Sequence, residues 1–117
     1  MVLPIVHHPD YVAPLPAEHR FPMAKFSLLY QYLLKTEIAR PSQIHHPEPA
    51  QREWVEWVHH PSYVRAYYEG TLEAKAIRRI GLPWTPAIVN RTVTAVGGTV
   101  LTAQLALQHG LACNTVG

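Results

Sequence analysis

The stretch from Thr85 to Gly110 limits the possible folds of this 117-residue chain more than any other. Thr85 is a good N-cap residue, and Pro86 suits the first helical position, where a missing N–H costs nothing. Gly110 follows the last helical residue and suits a left-handed stop. Between these signals Val89, Val93, Val96, Val100, Ala103 and Leu107 recur every three or four residues, which predicts an apolar stripe along one helix. Gly97-Gly98 falls in the middle and costs about 1 kcal/mol per glycine relative to alanine. Two neighbours without Cβ at that place predict the close approach of another backbone. Beyond Gly110 the run "LACNTV" reads as a buried parallel strand, with Cys113 as a small buried filler.

Upstream, "LPIVHHP" reads as a short buried strand stopped by Pro9. The proline-rich run from Pro9 to Pro22 cannot be helical and predicts a long ordered loop, a frequent place for function. Phe26, Leu29, Tyr30, Leu33 and Leu34 share one face of an amphipathic helix, with Pro22 near its start and Pro41 beyond its end. A short strand is expected at Ile44 and a short helix after Pro49. His60 is expected to cap a helix that begins at Pro61 and stops at Gly70; Thr71 is expected to cap "LEAKAIRRI", which Gly81 ends. Strands and helices thus alternate, which predicts an α/β fold with a mainly parallel sheet flanked by helices. In such sheets ligands bind beyond the carboxyl ends of the strands. A sequence stopping directly after "LACNTV" is therefore expected to be part of a domain, running from residue 1 to residue 117.

Composition removes several function classes. With 48% hydrophobic and 15% charged residues the chain is not of the disordered type. A net charge of +2, dispersed apart from Arg78-Arg79, predicts no nucleic-acid partner. No apolar stretch approaches the ~18 residues of a membrane span, and the first residues lack a signal-peptide pattern, so a soluble, cytoplasmic protein is expected. One cysteine excludes an intrachain disulfide and a cysteine-based zinc site.

Six of the eight histidines lie in three His-His-Pro triplets, at residues 7–9, 45–47 and 59–61. Adjacent histidines diverge on a strand or a helix, and no pair has the i, i+4 spacing of a helical zinc site, so no metal site is assigned to them. They read instead as element boundaries, His8 ending a strand and His60 capping a helix. A nucleophile elbow and a phosphate-binding glycine loop are both absent, and Glu53 and Glu56 read as a solvated helix face.

Three segments in order resemble the zinc-dependent histone deacetylases, particularly the class IV type and its bacterial relatives. "HRFPMAKFSLLYQYL" resembles their first loop and helix. "VHHPSYVRAYYEG" resembles their Val-His-x-x-x-Tyr-Val segment. "VGGTVLTAQLALQHGLACNTVG" resembles the long Gly-Gly helix and the strand into the active site. The resemblance implies the N-terminal portion of an arginase/deacetylase-type fold, one domain with a largely parallel eight-stranded sheet. It implies hydrolysis of N-acetyl-lysine or another acetylated amine by a zinc-activated water. It also implies that the Gly-Gly-x-His-His motif, the zinc ligands and the carbonyl-polarising tyrosine follow Gly117, which matches the first glycine of that turn. This chain alone would then hold no catalytic residue and no zinc.

Its pocket candidates are His19, Lys25, Pro83 and Trp84. The loop from His19 to Lys25 matches the one beside the cavity at the foot of the acetyl-lysine tunnel. Lys25 stands near where many relatives carry arginine, and lysine keeps the charge without the bidentate fork; a solvent-facing lysine is the alternative. Pro83-Trp84 matches the tunnel rim, where Trp84 would pack an acyl-lysine stem, or else serve the core or a subunit contact. The rival reading of the whole chain is a stand-alone, non-catalytic α/β module that binds a partner through an unfinished sheet edge.

Overall fold

Three short parallel strands and five α-helices alternate between residues 2 and 116, the span described by the computed structural model. In chain order they are β1 (Ile5–Val6), α1 (Lys25–Lys35), β2 (Ile44–His45), α2 (Arg52–Glu56), α3 (Pro61–Glu69), α4 (Ala74–Ile80), α5 (Pro86–His109) and β3 (Cys113–Asn114), with 3-10 turns at Pro9–Tyr11 and Pro41–Gln43. The chain is mixed α/β, as the alternation of segments predicts. Gly117, which the resemblance would place at the turn after the last strand, lies outside the described residues.

The strand order is β2-β1-β3, with Ile5 opposite both Ile44 and Cys113. β1 is central and buried on both faces, Ile5 being 6% and Val6 0% exposed. Strand alternation sends Ile5, His7 and Thr115 toward α1, where His7 meets Tyr30 and Thr115. Val6 and Asn114 face α5 instead, and Asn114 lies beside Gly98. Helices therefore cover both faces, as a parallel sheet requires.

The caps of α5 follow the sequence. The Thr85 hydroxyl accepts from Ile88 N–H at 3.1 Å, Pro86 opens the helix, and Gly110 stops it at φ 87°. Gly97 admits another backbone, as the sequence predicts, whereas Gly98 admits side chains instead. A Cβ on Gly97 would overlap the Glu48 carbonyl oxygen, and one on Gly98 would overlap the Tyr11 hydroxyl. The Pro47–Ala50 segment lies so close that Ala50 N–H donates to Val93 O at 2.8 Å.

The apolar stripe needs correction. The buried side of α5 carries Ile88, Thr94, Gly97, Gly98 and Leu105, whereas Val96 is 38% and Leu107 89% exposed. Apolar residues occur all round this helix, so their period alone does not select the face; the glycines select it by admitting Glu48 and Tyr11. Two smaller expectations also change. Thr71 is not the cap of α4, which starts at Ala74 after Glu73. Cys113 is exposed on an edge strand of two residues rather than buried in a longer one.

The core lies at the carboxyl end of the sheet. Tyr11, Ala13, Met23, Phe26 and Ile88 form it, with Val12, Phe21, Leu82 and Val116 packed around. The proline-rich segment thus supplies core as well as loop. Nearby, Thr94 is 1% exposed and its hydroxyl has no hydrogen-bond partner. Thr94→Val keeps the shape and removes that unsatisfied group. The substitution is expected to raise the unfolding free energy by about 1 kcal/mol, read as a higher urea midpoint at unchanged slope.

Candidate functional site

Because all three strands run parallel, their carboxyl ends open on the same side. His7 and His8 leave β1 there, His46 leaves β2, and Thr115 and Val116 leave β3. His7 is 2% exposed, its ring stacked on Tyr30 with centroids 3.8 Å apart and planes 3° apart. Its Nδ1 lies 2.7 Å from the Thr115 hydroxyl. Burial is the main cause that pushes the His7 imidazole down to about 4, with His46 and then His8 adding to it. His46 donates from Nδ1 to the His7 carbonyl at 2.9 Å. Tyr11, fully buried, donates its hydroxyl to Asn114 Oδ1 at 2.9 Å, and burial pushes the phenol up to about 12 against that bond.

The first two histidine triplets therefore meet, through adjacent strands, and the third does not join them. His60 caps α3 by accepting from Ser62 N–H, and His59 packs on Tyr63. His8 caps the 3-10 turn by accepting from Asp10 N–H at 2.9 Å. The His60 cap matches the sequence reading, whereas His8, read as the end of a strand, lies two residues beyond β1 and caps the turn that follows. Among the described residues, no three His, Cys, Asp or Glu side chains are grouped so that they could hold a metal ion.

The four pocket candidates separate into two sets. His19 joins two loops: Nε2 donates to Gly81 O at 3.1 Å, and Nδ1 accepts from Phe21 N–H at 3.1 Å. That bond ties the His19–Lys25 loop to the connection carrying Pro83 and Trp84. Lys25 opens α1, exposed, with Nζ 5.2 Å from the Phe21 centroid and 5.1 Å from that of Phe26. It borders an open hollow of about 350 Å³ with Phe26, Leu29, Thr115 and Val116, beside the carboxyl end of β3. Pro83 is half-buried in its loop.

Trp84 turns the other way. Its indole N–H donates to Tyr67 O at 2.6 Å, and its ring covers Gly70, where a Cβ would come within 2.8 Å of it. Trp84 locks the end of α3 to the loop before α5, which is the packing alternative. Trp84→Phe leaves the Tyr67 carbonyl without this donor and is expected to cost about 1–2 kcal/mol, measured by thermal or urea unfolding.

Arg91 escaped the sequence reading. Its Nε donates to Tyr11 O at 2.7 Å, and its guanidinium lies 5.7 Å from the Phe21 centroid and 4.9 Å from that of Phe26. Two cations thus approach the same two rings, Lys25 from α1 and Arg91 from α5. Next to it Asn90 donates to Asp10 at 2.9 Å, so consecutive residues of α5 hold the loop after β1. The available signal was a lone cation in the otherwise uncharged turns "PAIVNRTVTAV". A second, apolar hollow of about 220 Å³ lies far from the strand ends, between α3 and α5, where Tyr63, Tyr67, Val93 and Val96 line it.

No protein-family model matches the chain. Over all 117 residues it is 61% identical to an uncharacterized protein of Picosynechococcus sp., of which it spans 39%. The similarity thus covers this chain from end to end and leaves most of the longer protein unmatched. No helix among the described residues is long and apolar enough to cross a membrane.

Proposed function

We propose that the chain forms the N-terminal part of a zinc-dependent deacetylase domain of arginase/deacetylase type, acting on N-acetyl-lysine or another acetylated amine. The observation that carries this reading is the hollow beside the carboxyl end of β3, bordered by Lys25. It lies on the side where open parallel sheets bind ligands. His19 holds the two loops of that side together through Gly81. The first loop lies in a segment that resembles the deacetylases, and by the same resemblance Pro83-Trp84 in the second matches their tunnel rim.

Among the described residues no side chains are grouped to fit zinc. His7 is engaged by Thr115 and Tyr30, and His46 by the His7 carbonyl. No step on the metal is therefore assigned to them. On this reading the zinc ligands, the proton-handling histidines and the polarising tyrosine belong to the part of a longer protein corresponding to the unmatched length of the Picosynechococcus relative. The contribution of this chain is to bind and to orient. Lys25 supplies positive charge where the acetyl end and the departing acetate lie, Phe26 and Val116 supply apolar wall, and His19 fixes the loop that carries Lys25.

The test uses a chimera in which this chain replaces the matched segment of the Picosynechococcus protein. The chimera is expected to release acetate from an acetyl-lysine peptide. Lys25→Met is expected to lower kcat/KM about tenfold, near 1.4 kcal/mol of transition-state stabilisation. A chimera and an intact relative that both leave the peptide untouched would sink the reading.

A further inference from the structure

A tandem repeat runs through α2 and just past its end, Glu53-Trp54-Val55 followed by Glu56-Trp57-Val58. The first tryptophan and valine pack inward and are half-buried. The second pair stands out of the surface, Trp57 being 70% and Val58 76% exposed. Val55 and His59, two residues to either side of Trp57, line the apolar hollow of about 220 Å³ between α3 and α5. A protruding indole and a hollow therefore lie side by side on one face. Tyr63, Ile80 and Val96, all exposed, extend the apolar surface around them. Single apolar side chains on a surface are ordinary, but a contiguous patch marks an interaction site.

We propose that this face joins two copies of the chain, Trp57 of each copy entering the hollow of the other. The size fits: a cavity of about 150 Å³ accepts a benzene ring, and 220 Å³ has room for the fused rings of an indole. The chemistry fits as well. Thr92 donates to Ile88 O at 2.9 Å, so in the 2.8 Å bond between the Tyr67 and Thr92 hydroxyls Tyr67 is the donor. The Tyr67 oxygen can still accept, and an indole N–H is a donor only. A polar small molecule would find no free hydroxyl proton there. Charge points the same way. Glu53 lies one turn before Trp57 on the same side of α2, and Ile80, in the wall of the hollow, follows Arg78-Arg79. Among the described residues these three charges form no ion pair. Insertion of Trp57 brings Glu53 toward the two arginines of the second copy. Because indole and hollow share one face, a two-fold axis satisfies both at once and closes the assembly at two copies. The exposed side chain of the face amounts to about 600 Å² per copy, so about 1,200 Å² would be buried, the low end for a specific dimer. This inference does not rest on the deacetylase reading, since its readout is mass.

Sedimentation equilibrium tests the proposal on the 117-residue chain and on the chimera. Both are expected to be dimeric, with a Kd of about 10 µM. Trp57→Ala is expected to weaken association at least about 30-fold, as loss of a central tryptophan does. Val96→Trp fills the hollow from within and is expected to do the same with Trp57 intact. Leu107→Ala is the control. Leu107 is 89% exposed but lies about three turns further along α5, and its loss is expected to leave the Kd unchanged. A chain that is monomeric at about 100 µM overturns the proposal, as does a dimer that survives Trp57→Ala or Val96→Trp. A dimeric chain beside a monomeric chimera overturns it too, since the rest of the longer protein would then cover the face. Should either protein prove insoluble, the other decides by the same outcomes.

Discussion

Gly97→Ala is expected to destabilise the chain by about 3 kcal/mol, the upper end of what overpacking costs. The alanine itself gains about 1 kcal/mol of helix propensity, so the steric term has to exceed that gain. It does so because the obstacle is backbone. A Cβ at residue 97 would overlap the Glu48 carbonyl oxygen and would lie 3.0 Å from Ala50 N. Relief requires moving the Pro47–Ala50 segment and loosening the Ala50 N–H to Val93 O bond. Gly98→Ala meets the Tyr11 hydroxyl instead and would drive a fully buried ring out of register with Asn114. Thr99→Ala, on the exposed side of α5, is the control and is expected to stay within about 0.5 kcal/mol of the parent. Urea unfolding followed by circular dichroism reads all three. A Gly97→Ala chain as stable as the control would mean that α5 does not touch the segment after β2.

Acid is expected to remove about 3 kcal/mol of stability through His7 alone. Its imidazole falls from 6.5 to about 4 on folding, burial being the largest cause. Below 6.5 the unfolded chain takes up a proton that the folded chain refuses. Stability is therefore fully present above pH 6.5 and falls as the pH drops toward 4, below which both states are protonated. The comparison is between the slopes of two otherwise identical chains. His7→Phe keeps a ring on Tyr30 and removes the titration. Its unfolding free energy is expected to decline less steeply between pH 6.5 and pH 4 than that of the parent, by about 3 kcal/mol over the window. Parallel curves would show that His7 is hydrated in solution or charged in the fold.

Local chemistry was legible in the sequence where one residue type has one physical use. Thr85, Pro86 and Gly110 bound α5 as their capping roles dictate, and Gly70 and Gly81 stop α3 and α4 with positive φ. His60 caps α3 as expected, because an imidazole nitrogen can accept from the N–H two residues on, and His8 uses the same bond on the turn after β1. What periodicity could not supply was the choice among several apolar faces. α5 is apolar on more than one side, and tertiary contacts at Gly97 and Gly98 decide which side is buried. Cys113 was misjudged for a related reason: a parallel strand is buried only when both of its neighbours are present, and here β3 has one.

The site was legible in outline only. His19 and Lys25 were singled out by the resemblance alone; no local pattern announced the His19 bond to Gly81, which joins loops 62 residues apart. Trp84 was indistinguishable by type from a pocket wall, because an indole in a loop serves a core and a ligand equally well. Its bond to Tyr67 settles its orientation. Arg91 and His7 were hidden because their roles depend on partners about 80 and 108 residues away along the chain.

The proposed place of this chain in a zinc-dependent deacetylase is tested most directly by acetate release from the chimera after metal removal with a chelator and after stoichiometric zinc is returned. Turnover of an acetyl-lysine peptide is expected to be lost on chelation and restored by zinc, with Lys25→Met lowering kcat/KM in the restored enzyme. Turnover that survives chelation, or no turnover with zinc bound, would contradict it.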